Sequence, residues 1–136
     1  MTRYLLDTGS AGDYIHRRGD VYPRAKAKEA LGDHIGICVP VLGELWAGIE
    51  LSATRERNRT RLLRELPRLA LWPYDKAAAK EFGRLFALLQ RIGRPMQQID
   101  IQVAAIAITM GNCIVVSSDG DLKAIPGLKV ENWSAP

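Results

Sequence analysis

Four carboxylates in this chain of 136 residues sit in surroundings that ordinary surface acids do not have. Asp7 directly follows the apolar run RYLL, and Glu44 stands inside VPVLGELWAGIE. Asp100 lies between Ile99 and Ile101 at the head of IDIQVAAIAI, and Asp119 follows CIVVSS. A carboxylate opening so apolar a stretch as Asp100 is costly to bury unless something compensates it. If the four meet in space they repel, and some stay protonated unless a cation joins them. No lysine or arginine adjoins any of them in sequence. A hard divalent ion bound by oxygens, Mg²⁺ with Mn²⁺ as a substitute, is the natural compensation. Such an ion activates water and neutralises phosphate charge, the chemistry of phosphodiester hydrolysis.

Each acid also has an ordinary structural reading. Asp7 can accept a backbone bond at a strand-to-helix turn, and Glu44, expected in the first turn of the helix after the second strand, suits the positive end of its dipole. Asp100 can serve as an N-cap and Asp119 as a turn residue. Other chemistries lack their residues. His16 and His34 are far apart and have no Cys or His company, which points away from zinc. No phosphate-cradling Gly-rich loop, Ser-His-Asp set or Cys-His set is visible; Gly9 and Gly12 make only an incomplete dinucleotide loop.

The elements that must position the acids follow from apolar patterning. RYLL (3–6), IGICV (35–39), CIVVSS and LKVENW read as short strands, with ALWPY as an extended piece. Between them lie helical segments. One is capped by Ser10 and runs to about Arg18; a second opens at Pro23 and closes at Gly32. A third, VLGELWAGIELSA, carries Leu42, Leu45, Trp46 and Ile49 at helical spacing, with Trp46 expected in the core. An arginine-rich helix ends at Pro67, and Asp75 caps a long one with a Phe82, Leu85, Phe86, Leu89 stripe. The helix containing Asp100 is almost wholly apolar and should be buried. Continuously apolar strands alternating with helices predict a parallel α/β sheet covered on both faces, in one domain spanning 1–136. In such sheets functional groups collect at the carboxyl ends of the strands, which brings the four acids to one end. The same pattern disposes of the DTGS tetrad at residues 7–10. That tetrad marks aspartic protease lobes, but those are nearly all β and place strands before the catalytic turn.

Composition sets further bounds. Hydrophobic residues make up 47% and charged residues 25%, as in soluble globular proteins. No apolar run is long enough to span a membrane, and no leader is visible before Asp7, so a cytoplasmic protein is expected. Cys38 and Cys113 sit among apolar residues and read as reduced. Net charge is +4, which suits an anionic partner. Residues 55–68 (RERNRTRLLRELPR) hold six arginines against two glutamates. They read as a solvated helix face with internal ion pairs, as an RNA-facing surface, or as a dock for an acidic segment.

Four segments in order, YLLDTGS, VPVLGELWAGIE, GRPMQQIDIQVAAIAI and CIVVSSDGDLKAIPGLKVENW, resemble the PIN-domain ribonucleases. The likeness runs the whole length and is specifically to the VapC-type toxins of toxin–antitoxin pairs. The resemblance implies a Rossmann-like parallel sheet of about five strands flanked by helices and a Mg²⁺-dependent endoribonuclease. It also implies a homodimer inhibited by a cognate antitoxin, with operator DNA contacted only through that antitoxin. RNA, tRNA or another structured RNA, is the implied substrate; a non-catalytic PIN-like RNA-binding module is the alternative. The antitoxin is expected on the early helices and on residues 41–68. The catalytic and metal-holding set maps to Asp7, Glu44, Asp100 and Asp119, with Thr8 as a supporting hydroxyl. Gly9 stands where the family usually has Asn. The loop SSDGDL is one residue shorter than the family's, so the pattern does not choose between Asp119 and Asp121. Asp119 leaves the strand where Asp7 does and is assigned to the metal; Asp121, before LKAI and Pro126, is assigned as the N-cap of a short turn.

Overall fold

The computed structural model describes residues 1–134. Strand β1 (Arg3–Leu6) is followed by helices α1 (Thr8–His16) and α2 (Val21–Ala30), then β2 (His34–Cys38). Helices α3 (Val39–Leu51) and α4 (Arg55–Glu65) precede β3 (Ala70–Trp72). Helices α5 (Lys76–Arg91) and α6 (Gln98–Met110) lead to β4 (Cys113–Val116), and β5 (Lys129–Glu131) closes the sheet. The strand order is β3-β2-β1-β4-β5 and every pairing is parallel, the α/β architecture expected. No helix among the described residues is long and apolar enough to cross a membrane.

The central strands are buried because both faces are covered. Tyr4, Leu5 and Leu6 of β1, Ile35 and Ile37 of β2 and Val115 and Val116 of β4 are all inaccessible or nearly so. Helix α6 buries Ile101 and Val103 through Ala107, as its sequence predicts, and packs against both α5 and β4. The α5 stripe is only partly inside: Leu85 and Leu89 are buried, whereas Phe86 is exposed. Trp46 is half-buried against the core. Cys38 and Cys113 are free thiols.

Gly36 of β2 marks a close approach of neighbouring strands. A Cβ there would lie 2.5 Å from the Ala70 carbonyl oxygen and 2.8 Å from the Trp72 ring. Gly36→Ala is therefore expected to cost about 1–3 kcal/mol of stability. A urea titration showing an unchanged midpoint would contradict the β2–β3 register.

Several local expectations need correction. The N-cap of α1 is Asp7, not Ser10; the Asp7 carboxylate accepts from the Ser10 backbone N–H at 2.8 Å. Helix α2 begins at Val21, two residues before Pro23, which the first turn tolerates because its missing N–H has no partner there anyway. Val39 opens α3 rather than ending β2, so Glu44 is the sixth helical residue and lies beyond the first turn. The arginine-rich helix has the solvated face expected, but Glu65 is not on it. Its carboxylate is fully buried and meets Arg17 at 2.6 Å, with Arg64 and Arg68 at 3.7 and 3.9 Å.

Candidate active site

The sheet reverses its winding at β1: β2 lies on one side and β4 on the other. Ligands in open α/β sheets bind beyond the strand ends at such a switch point. Leu6 is paired with Val116, and the Asp7 N–H donates to the Val116 carbonyl at 3.1 Å. The chain ends carrying Asp7 and Asp119 therefore leave the sheet side by side.

Each acid is held by a defined local contact. Asp7 has an extended backbone (φ −71°, ψ 178°) and caps α1, so one carboxylate oxygen is committed to the Ser10 N–H. The Thr8 hydroxyl donates to Glu44 Oε1 at 2.5 Å, tying the first turn of α1 to α3. Asp119 caps a short 3-10 turn at Gly120–Ala124, accepting from the Asp121 N–H at 2.9 Å. This corrects the assignment of that cap to Asp121. Asp119 is held in turn by its own N–H, which donates to the Ser117 hydroxyl at 2.9 Å.

Asp100 is the third residue of α6, with its N–H bonded to the Gln97 carbonyl, so it is not an N-cap. A first-turn position beside the positive end of a helix dipole should hold a carboxylate down. Instead its pKa is pushed up to about 6, first by burial and then by the charges of Asp119, Asp7, Glu44 and Asp121, in falling order. All four expected acids thus share one electrostatic site, and Asp119 acts on Asp100 more strongly than Asp121 does. Among the described residues, however, no three His, Cys, Asp or Glu side chains close into a group that could hold a metal by themselves.

Asp100, Asp119 and Asp121 line an open cleft of about 490 Å³ with Pro95, Met96 and Gln97. Thr8 and Glu44 line a separate groove of about 310 Å³, together with Ile15, Leu45, Ile49 and Leu62. His16 lies on that groove and faces Arg61, with Nδ1 3.0 Å from the guanidinium. Burial, Arg18 and Arg61 lower its pKa, so the imidazole is neutral at pH 7 and accepts from Arg61. A further cavity, lined by Thr2, Asn112 and Cys113 before strands β1 and β4, sits at the opposite end of the sheet.

One residue at the site was missed by sequence reasoning. Arg94 Nη2 lies 3.5 Å from Asp121 Oδ1, bringing a cation to the acidic loop across 27 positions. The only trace of it in the sequence is the Gly-Arg-Pro step before α6, which reads there as a lead into the helix.

Comparison with known proteins agrees with the overall fold. Residues 4–128 match the PIN domain. The chain is 36% identical to the tRNA(fMet)-specific endonuclease VapC of Shigella flexneri, over 98% of this chain and 100% of that one. Among solved structures, VapBC2 from Rickettsia felis bound to a DNA fragment from its promoter superposes with a TM-score of 0.88. That match has 28% identity and covers 97% of this chain and 99% of that one. DNA-bound VapBC from Salmonella typhimurium also superposes at 0.88, with 29% identity and coverage of 98% and 99%.

Proposed function

This chain belongs to the PIN-domain family, and from that premise we propose that it is a metal-dependent endoribonuclease, the toxin of a toxin–antitoxin pair. The observation that carries the proposal is the convergence of four acids at the switch-point end of the sheet, where the charges of Asp119, Asp7 and Glu44 reach Asp100. Asp7 after β1, Glu44 of α3 and Asp119 of the loop after β4 all act on Asp100 of α6, and among the described residues none of these four has an ion-pair partner. Asp7, Glu44, Asp100 and Asp119 would hold Mg²⁺, or Mn²⁺ in its place. The ion would supply Lewis acidity toward the RNA phosphate and toward water.

The chain's own residues set the geometry. The α1 cap fixes Asp7, the Thr8 hydroxyl fixes Glu44, and the 3-10 turn fixes Asp119. None of these acids spends both oxygens on its local bond, which leaves acceptor capacity for an ion and its waters. RNA is the proposed substrate, and tRNA the favoured kind because the Shigella relative is named for a tRNA. The Rickettsia and Salmonella structures are VapBC assemblies on DNA. By analogy this chain is proposed to form a homodimer and to pair with an antitoxin that contacts operator DNA on its behalf. The proposed place of action is the cytoplasm, where RNA and antitoxin are made.

Induced expression in a bacterial host without the antitoxin tests the reading. Growth should stop and discrete RNA fragments should accumulate. Glu44→Gln, which keeps an acceptor for Thr8 but removes the charge, should relieve the arrest at equal protein level. Arrest with an intact RNA pool would overturn the nuclease assignment.

A further inference from the structure

The acidic site has to receive a phosphodiester, itself an anion. Among the described residues, Arg94 is the one cation in ion-pair contact with any of Asp7, Glu44, Asp100, Asp119 or Asp121. Its backbone is fixed on both sides. Gly93 ends α5 in the left-handed region (φ 72°), and the Arg94 N–H donates to the Leu89 carbonyl at 2.8 Å. The Pro95 ring then locks the next φ and narrows the backbone choices of Arg94 itself. Pro95, Met96 and Gln97 form part of the wall of the cleft that holds Asp100 and Asp119.

Stability gives little reason for the pair. Both side chains are more than half exposed, with relative accessibilities of 52% and 68%, and exposed pairs of this kind contribute little. Nor is the guanidinium used up. It has five N–H donors, and the contact with Asp121 engages Nη2 alone. The planar fork left over matches two oxygens of a phosphate, which a Lys ammonium does not reproduce.

We infer that Arg94 is a substrate-contacting residue that donates to an RNA phosphate at the acidic cleft, and that Asp121 is the positioning residue that holds it there. The inference rests on the nuclease reading above. In the free protein Asp121 keeps the guanidinium beside the cleft. When RNA enters, the unused donors take the phosphate oxygens and offset charge that the carboxylates would otherwise repel. This also gives Asp121 a use that does not require it to bind metal.

The test compares the full-length wild type with Arg94→Ala, Arg94→Lys and Asp121→Asn on one RNA that the wild type cleaves. Three readouts are needed: kcat and KM in Mg²⁺, RNA affinity in Ca²⁺ across a salt series, and affinity for Mn²⁺ without RNA. Arg94→Ala should lower kcat about 100-fold, the lower end of the roughly 10²- to 10³-fold scale of losing one preorganised donor to developing charge. The slope of log affinity against log salt should fall by about 0.7, the share of one phosphate contact on a single strand. Mn²⁺ affinity should stay equal or rise, because a cation has left the acidic site. Arg94→Lys should recover part of kcat and the full salt slope, and Asp121→Asn should lower kcat less than Arg94→Ala does. A wild-type kcat in Arg94→Ala would overturn the inference and leave the nuclease reading standing. So would a loss of Mn²⁺ affinity in step with kcat, since Arg94 would then only be supporting the acidic loop. A wild type that cleaves no RNA in Mg²⁺ would overturn the nuclease reading, and this inference with it.

Discussion

Asp100→Asn is expected to reduce RNA cleavage by about 10²-fold or more while making the metal-free protein more stable at pH 7. The loss of rate follows from removing one carboxylate charge from the proposed ion site. The gain in stability follows from the same charge being unwelcome without an ion. The folded-state pKa of about 6 lies above the ordinary 3.8, so the protonated carboxyl favours the folded state. Its contribution is complete below about pH 4 and is lost as pH rises through about 6. With solvent screening at this half-exposed group, the penalty at pH 7 is on the order of 1 kcal/mol. Melting curves of the metal-free variant should therefore run a few degrees above wild type at pH 7, and the gap should close near pH 4. A variant that cleaves as fast as wild type, or that melts lower at pH 7, would place Asp100 outside the site.

The second large effect separates the two acids of SSDGDL. Asp119 stands first among the charges acting on Asp100 and Asp121 last. Asp119→Asn should cut the rate by about 10²-fold or more. It should barely change the melting temperature of the metal-free protein, because Asn also caps a turn and one repelling charge is gone. Asp121→Asn should cost less than about 10-fold, since it loosens Arg94 without removing a proposed ligand. An inactive Asp121→Asn beside an active Asp119→Asn would reverse the assignment.

The sequence shows the parallel sheet clearly, because RYLL, IGICV and the CIVV of CIVVSS are too apolar for strands with one wet face. It also shows three of the acids, because Asp7 and Asp119 follow such strands and Asp100 heads a helix too apolar to carry a stray charge; Glu44 shows only as a lone acid inside the apolar helix α3. Cap identity is harder to read. Ser, Asp and Asn all serve as caps, and spacing alone cannot say that Asp7 rather than Ser10, or Asp119 rather than Asp121, turns toward the backbone. Long-range pairings leave no periodic trace at all. Glu65 reads as a surface acid among arginines, yet it is drawn inside to Arg17 across 48 positions. Arg94 reaches Asp121 in the same way. Glu44 falls beyond the first turn of α3 because β2 ends one residue earlier than its apolar run suggests.

The most direct test of the central claim is cleavage of a cellular RNA pool by the purified protein, followed with Mg²⁺, with excess EDTA, and with Mn²⁺ restored after EDTA. Asp7→Asn serves as the matched control. Cleavage that appears with Mg²⁺, stops with EDTA, returns with Mn²⁺ and is absent in Asp7→Asn is the predicted result. Cleavage that continues undiminished in EDTA, or is as fast in Asp7→Asn as in wild type, would contradict it.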